Sequence, residues 1–164
     1  MKNEWILLLV VFVPTLGSCL LPLIGNISVQ LRNLLALLFV LVSFVGSLFL
    51  APVVLSGGSV LVTHSSLIGS NFFQADKLAV FMALVSSLVG AIIVLYSFGY
   101  ISHYEYQNEY YFMVVLFLGS MMGLVYSGNL ILMYLFWETT AIACWRLIGF
   151  FREKAFVFRA DKAF

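Results

Sequence analysis

Charge is the feature this 164-residue sequence has least of. Only 9% of its residues are charged, against about 25% in a typical soluble domain. Eight basic side chains are balanced by seven acidic ones, so the chain has no positive surface for a nucleic-acid backbone. Meanwhile 63% of the residues are hydrophobic, and the mean hydropathy is +1.11. These numbers exclude a soluble enzyme, a disordered tail and a nucleic-acid-binding protein, and they predict an integral protein of the lipid bilayer.

Cysteine is also scarce, and no cofactor motif is present. Cys19 and Cys144 both lie within apolar runs, with no Cys-x-x-Cys pair or nearby histidine to suggest a zinc or iron–sulfur site. We expect both to be small hydrophobic side chains and not a disulfide. The sequence also has no glycine-rich nucleotide loop after a strand and no histidine pair placed to hold haem. We therefore expect no cofactor in this chain.

What the sequence has in abundance is long apolar runs. A helix of about 20 apolar residues crosses a bilayer, because its backbone groups must bond to one another where water is absent. The first run lacks an Ala-x-Ala-like cleavage site, so we interpret it as a retained span and not a signal peptide. The prediction is an all-α membrane protein, one domain with about five transmembrane helices. They cover roughly residues 5–24, 34–55, 78–98, 110–126 and 130–151, with a loop at 56–77 and a tail at 152–164.

The distribution of lysine and arginine predicts the orientation, because cytoplasmic loops carry the excess of these residues. Lys2 and Lys77 lie on one side of the predicted membrane. Five basic residues lie on the other side: Arg32, Arg152, Lys154, Arg159 and Lys162. This bias predicts an external N-terminus and a cytoplasmic C-terminus. The loop at 56–77 is then external, and Ser59–Thr63 alternates within it like a short strand.

Glu138 is the one charged residue near the middle of a predicted span. A carboxylate at that depth costs about 2.5–3.5 kcal/mol on insertion scales. Without a partner it takes up a proton more readily than it stays ionised in a dry site. A group that holds or releases a proton according to its partner suits a proton relay, so Glu138 is our main candidate for ion translocation. The alternative is a structural carboxyl that is hydrogen-bonded across the bundle.

Three neighbours of Glu138 are weaker candidates. Thr139 and Thr140 supply hydroxyl groups directly after it. Arg146 follows eight residues later, about 12 Å along the helix axis and about 80° around it, so we do not expect a direct pair with Glu138. We expect Arg146 to reach toward the membrane interface instead.

Two loop residues complete the set. His103 lies between the third and fourth spans, where it either feeds protons to a membrane path or is simply solvated. Asp76 directly precedes the third span, and its position predicts a cap for that helix.

From Phe73 onward, the sequence resembles the antiporter-like membrane subunits of respiratory complex I, Mrp-type antiporters and energy-converting membrane-bound hydrogenases. The resemblance rests on the order and spacing of several short stretches, none of which is specific alone. They are Gln74–Ala79 (QADKLA), Val94–Ile101 (VLYSFGYI), Ser127–Leu130 (SGNL), Phe136–Glu138 (FWE), Leu147–Phe150 (LIGF) and Lys162–Phe164 (KAF).

The resemblance implies a role for Glu138 and a partner for it. In the family, the glutamate matched by Glu138 is implicated in ion translocation and pairs with a lysine on a later helix. This sequence has no lysine within its predicted spans, and Trp145 and Arg146 stand where the family has aromatic, small or aliphatic residues. The resemblance thus implies further membrane subunits of a redox complex in a prokaryotic plasma membrane, one of which supplies the lysine.

The residues leave three hypotheses open. The chain is a shortened or split antiporter-like subunit that contributes to proton or sodium translocation. Alternatively, it is a non-conducting structural or assembly subunit that keeps only the first helices, or it is a truncated product. In none of these does the chain carry a catalytic site of its own.

Overall fold

The computed structural model describes residues 2–66, 69–150 and 162, so the predicted tail at 152–164 lies outside the described residues apart from one position. The chain folds as helices with one β-hairpin between the third and fourth of them. The helices are α1 (Lys2–Ser18), α2 (Leu21–Gly25), α3 (Val29–Leu55), α4 (Lys77–Tyr100), α5 (Gln107–Val125) and α6 (Leu130–Ile148). The strands are β1 (Val60–Ser66) and β2 (Gly69–Ala75).

The helices confirm the predicted class of all-α membrane protein. Four of them, α3 to α6, are long and apolar enough to cross a bilayer, and α1 is a shorter apolar helix. Asp76 caps α4 as predicted, since its carboxylate accepts a hydrogen bond from the backbone N–H of Ala79 at 2.7 Å. The orientation across the membrane stays a prediction.

The first two predicted spans differ from the observed helices. The run at 5–24 is divided into α1 and α2. The next helix begins at Val29 and not near residue 34, because the Ser28 hydroxyl caps it by accepting from the backbone N–H of Leu31 at 3.4 Å. Gln30, Arg32 and Asn33, which lie between the first two predicted spans, therefore belong to the first turns of α3.

The predicted loop between the second and third spans contains the hairpin. β1 and β2 pair antiparallel, with Val60 opposite Ala75. The other edge of β2 binds the turn between α5 and α6. There the Gln74 N–H donates to the Tyr126 carbonyl at 2.8 Å, and the Gly128 N–H donates to the Phe72 carbonyl at 2.9 Å. The hairpin thus joins the α3–α4 connection to the α5–α6 turn at one end of the bundle, which we call the hairpin end.

Two apolar clusters fill the bundle, one toward each end. At the hairpin end the cluster contains Leu7, Val10, Val11, Leu50, Val54, Phe73, Met122 and Tyr126. At the other end it contains Leu21, Ala36, Val40, Val94, Ile101, Tyr111, Val114 and Val115. We call this second end the arginine end, because Arg32, residues 104–109 and Arg146 lie there.

α5 lies close against two neighbouring helices. A Cβ atom on Gly119 would stand 2.6 Å from the backbone nitrogen of Thr15 in α1, and one on Gly123 would overlap the Phe136 ring in α6. Only glycine permits such close approach. α6, by contrast, buries little beyond this contact: Thr140 and Ala143 are its buried side chains. It forms the outer edge of the bundle, packed on α5.

Candidate functional site

Glu138 lies near the middle of α6, as predicted. The helix begins cleanly because the Asn129 side chain caps it, accepting from the backbone N–H of Leu132 at 2.8 Å. From that cap the chain continues as an unbroken helix to Ile148. Glu138 is thereby held at mid-depth in a helix that is long and apolar enough to span the membrane.

The face of α6 that carries Glu138 is turned away from α5. With 3.6 residues per turn, Tyr134 and Ile142 lie one turn to either side of Glu138 on the same face. Tyr134 is 62% exposed and Ile142 is 48% exposed, whereas Thr140 and Ala143 are buried on the opposite side. Glu138 is itself half-buried as a residue. Glu138 therefore stands at the centre of a surface that the described part of the chain leaves uncovered.

Tyr134 is the polar neighbour of Glu138 on this face. The two residues lie four apart on α6, which places the tyrosine hydroxyl and the carboxyl group within electrostatic reach of each other. A phenol can donate to a carboxylate and can accept from a protonated carboxyl group. A phenol so placed can therefore serve as a partner to either protonation state of a carboxyl group.

The two threonines beside Glu138 are engaged elsewhere. The Thr139 hydroxyl donates to the carbonyl of Leu135 at 2.9 Å, and the Thr140 hydroxyl donates to the carbonyl of Trp137 at 2.6 Å. Both bonds run back along α6. The structure thus places the threonine hydroxyls next to Glu138 in sequence without joining them to its carboxyl group.

Arg146 has a partner that the sequence did not indicate. Its Nε atom donates to the carboxylate of Glu109, and the side chains of both residues are 27% exposed. This pair joins the last turn of α6 to the first turn of α5, and the expected reach of Arg146 toward the membrane interface stays a prediction. Both charges occupy the favourable helix ends, the acid at an N-terminus and the base at a C-terminus.

His103 does not approach Glu138. It ends a 3₁₀ turn at Ile101–His103, directly after α4 at the arginine end, and it is exposed. Glu138 lies about midway along α6, so the two predicted candidates occupy different levels of the bundle. A role for His103 in the same path stays a prediction.

A buried arginine is the polar feature that sequence reasoning missed. Arg32 is only 2% exposed. Its Nη1 donates to the Asn108 side-chain oxygen at 2.5 Å and its Nη2 to the Gln107 oxygen at 3.0 Å. The Asn33 side chain accepts from both Nε and Nη2, and the guanidinium lies 4.6 Å from the centre of the Tyr111 ring. Recognition of the Ser28 cap would have placed Arg32 on a helix, but no pattern pointed to its partners.

A cavity of about 650 Å³ opens beside Arg32 at the arginine end. Its polar lining comes from Asn26, Arg32, Glu105, Asn108 and Glu109. Asn108 links Arg32 to Asn26 in this lining, since its side-chain oxygen accepts from Arg32 and its amide nitrogen donates to the Asn26 oxygen at 2.9 Å. The cavity carries charges of both signs and lies away from the mid-level of Glu138.

Comparisons with known proteins agree with this architecture. Residues 70–112 match the family described as NADH-ubiquinone oxidoreductase (complex I), chain 5 N-terminus. The chain is 40% identical over 126 residues to Na⁺/H⁺ antiporter subunit A1 of Staphylococcus haemolyticus and 38% identical over 127 residues to that of Staphylococcus aureus. These alignments cover 74% and 75% of this chain but 16% of each relative. The chain thus spans about a sixth of the length of the curated relatives it matches.

A solved structure shows the same fold. One chain of the membrane-bound sulfane sulfur reductase, an archaeal respiratory membrane complex, matches with a TM-score of 0.87 at 20% sequence identity. The match covers 98% of this chain and 33% of that one. Together with the apolar helices, the bacterial relatives place the protein in a prokaryotic plasma membrane as an integral membrane protein. On the family match, the relatives and the fold, the chain belongs to the antiporter-like family of membrane subunits.

Proposed function

We propose that this chain forms part of an antiporter-like subunit that moves protons or sodium ions across the membrane, and that Glu138 is the side chain that exchanges the ion. The observation that carries the proposal is a carboxyl group at mid-helix on an uncovered face of a spanning helix. A charged group in that position costs about 2.5–3.5 kcal/mol in a bilayer. Its presence there calls for a functional reason.

The chemistry of the group suits reversible protonation. When Glu138 carries a proton it is neutral, and the nearby Tyr134 hydroxyl is placed to serve as a hydrogen-bond partner. When it loses the proton, the negative charge requires a cation close by, because an opposite charge within about 4–6 Å favours the ionised form. Approach or withdrawal of such a cation would therefore release or restore the proton.

A lysine on another helix is the proposed cation. The lysines of this sequence are Lys2, Lys77, Lys154 and Lys162, none of which lies within a predicted span, and Arg146 is engaged with Glu109. We propose that the lysine comes from a further membrane segment seated against the uncovered face of α6. The subunits around it would belong to a larger ion-translocating complex, redox-driven or an antiporter, in which this chain has no redox centre of its own.

Replacement of Glu138 tests the proposal. In membrane vesicles that contain the assembled complex, Glu138→Gln should lower ion translocation by about 100-fold, because it removes the group that transfers the proton. Assembly should be unchanged, since glutamine keeps the size of the side chain and one hydrogen-bonding oxygen. The matched control is Glu105→Gln, which removes an exposed carboxylate at the arginine end and should leave translocation intact.

A single outcome distinguishes the alternative function. If the Glu138→Gln complex assembles normally and translocates ions at the wild-type rate, the chain is a structural or assembly subunit and the proposal is wrong. Both variants should be compared at equal amounts of complex in the membrane, so that a change in rate reports on translocation alone.

A further inference from the structure

The short segment Gln107–Glu109 is held from both sides at the arginine end. On one side Arg32 of α3 donates to the side chains of Gln107 and Asn108 at 3.0 and 2.5 Å. On the other side, Arg146 of α6 donates to the Glu109 carboxylate. Three consecutive residues at the start of α5 therefore join two arginines from different helices.

The two attachments differ in what they secure. Arg32 is fully buried, and it fixes the start of α5 to α3 within the body of the bundle. Arg146 fixes the end of α6, whose buried side chains are Thr140 and Ala143. α6 packs on α5, where the Phe136 ring lies against Gly123. The ion pair with Glu109 supplies a directional restraint that apolar packing does not.

We propose that Arg146 is a positioning residue. Through Glu109 it sets the rotation of the end of α6 and, with it, the direction in which the face carrying Glu138 points. The two residues lie about 12 Å apart along one continuous helix, so a rotation at Arg146 is transmitted to Glu138. The consequence for translocation rests on the proposed function of Glu138, whereas the restraint on α6 does not.

The two native cysteines allow a direct test of the restraint. Cys144 lies on α6 two residues before Arg146 and is half-buried, while Cys19 is exposed between α1 and α2. In membranes that contain the assembled complex, the rate of alkylation by N-ethylmaleimide is measured at both thiols. Arg146→Leu and Glu109→Gln should each raise the rate at Cys144 several-fold and leave the rate at Cys19 unchanged.

Two further variants separate positioning from general stability. Arg146→Lys keeps the charge and should restore most of the wild-type rate at Cys144. The double variant Arg146→Leu/Glu109→Gln should label no faster than either single variant, because both changes remove the same interaction. Equal rates at Cys144 in wild type and single variants, or a parallel rise at Cys19, would overturn the inference.

The effect on translocation is measured in the same membranes. Arg146→Leu should lower the maximal rate several-fold without abolishing translocation, and Arg146→Lys should restore it. If Glu138→Gln leaves translocation intact, the proposed function fails while the Cys144 result stands. If Glu138→Gln abolishes translocation but Cys144 reactivity is unaltered by Arg146→Leu, the positioning role alone is wrong.

Discussion

Charged side chains have different surroundings at the arginine end of the bundle and on the outer face of α6. At the arginine end, Arg32 is surrounded by side-chain amides and a tyrosine ring, and Arg146 is paired with Glu109. On the outer face of α6, Glu138 lies near Tyr134 of its own helix and among exposed apolar side chains. One region satisfies its charges within the chain, whereas the other presents a charge outward.

This difference indicates which charges are structural. A paired charge at a helix end stabilises the contact between two elements, so its loss should be seen first as lost stability. An outward-facing carboxyl group at the middle of α6 contributes little to the contacts of this chain. Its loss should be seen first as lost activity in the assembled complex. The variants below separate these two kinds of effect, beginning with the largest effect on stability.

Removal of Arg32 should have the largest effect on stability. Arg32→Met keeps a long unbranched side chain but removes the guanidinium. The side-chain oxygens of Asn33, Gln107 and Asn108 then lose their donor, which should cost about 3 kcal/mol in the free energy of unfolding. Native membranes are heated and then extracted with mild detergent. The measured quantity is the temperature above which the chain is no longer extracted intact. Gln30→Met, at an exposed position of the same helix, is the control and should leave that temperature unchanged. Equal extraction temperatures for Arg32→Met and Gln30→Met would contradict the structural role of Arg32.

Substitution of Asn108 should have a smaller effect on stability than the loss of Arg32. Asn108→Ala removes the acceptor for Arg32 and the donor to Asn26, and should cost about 1–2 kcal/mol. Asn108→Asp keeps an acceptor for the guanidinium and should be less destabilising in the same extraction assay. If Asn108→Asp is less stable than Asn108→Ala, the loss of an acceptor for Arg32 is not what destabilises the Asn108→Ala variant.

The smallest effect on stability should come from Tyr134. Tyr134→Phe removes a hydroxyl from an exposed ring, so the extraction temperature should change little, with less than about 1 kcal/mol lost. Translocation should nevertheless fall several-fold, because Glu138 loses its partner on α6. The matched control is Tyr96→Phe, an exposed tyrosine on α4. A Tyr134→Phe complex with full activity would show that the hydroxyl does not assist Glu138.

Much of the fold could be predicted from single residues and runs. Apolar length predicts the four long helices, and the position of Asp76 predicts the cap of α4. The start of α3 was predicted several residues too late, because a polar stretch can be either a loop or the first turns of a helix. The Ser28 cap decides between the two, because its hydroxyl accepts from the Leu31 N–H and begins the helix there.

The partners of the two arginines could not be predicted. Arg32 and Asn108 are 76 residues apart in sequence, and Arg146 and Glu109 are 37 apart. Such contacts depend on which helices become neighbours, and nothing in the local pattern specifies that. Glu138, by contrast, could be proposed as a candidate from the sequence alone, since the cost of a charge at mid-membrane depends only on its depth in an apolar run.

Chemical modification of the carboxyl groups in the native complex is the most direct test of the account. Dicyclohexylcarbodiimide is apolar and reacts with protonated carboxyl groups in apolar surroundings, and mass spectrometry locates the product. Ion exchange at Glu138 predicts that its modification rises in step with the loss of translocation, while Glu109, paired with Arg146, stays unmodified. Full modification of Glu138 with translocation intact, or complete inhibition with Glu138 unmodified, would contradict it.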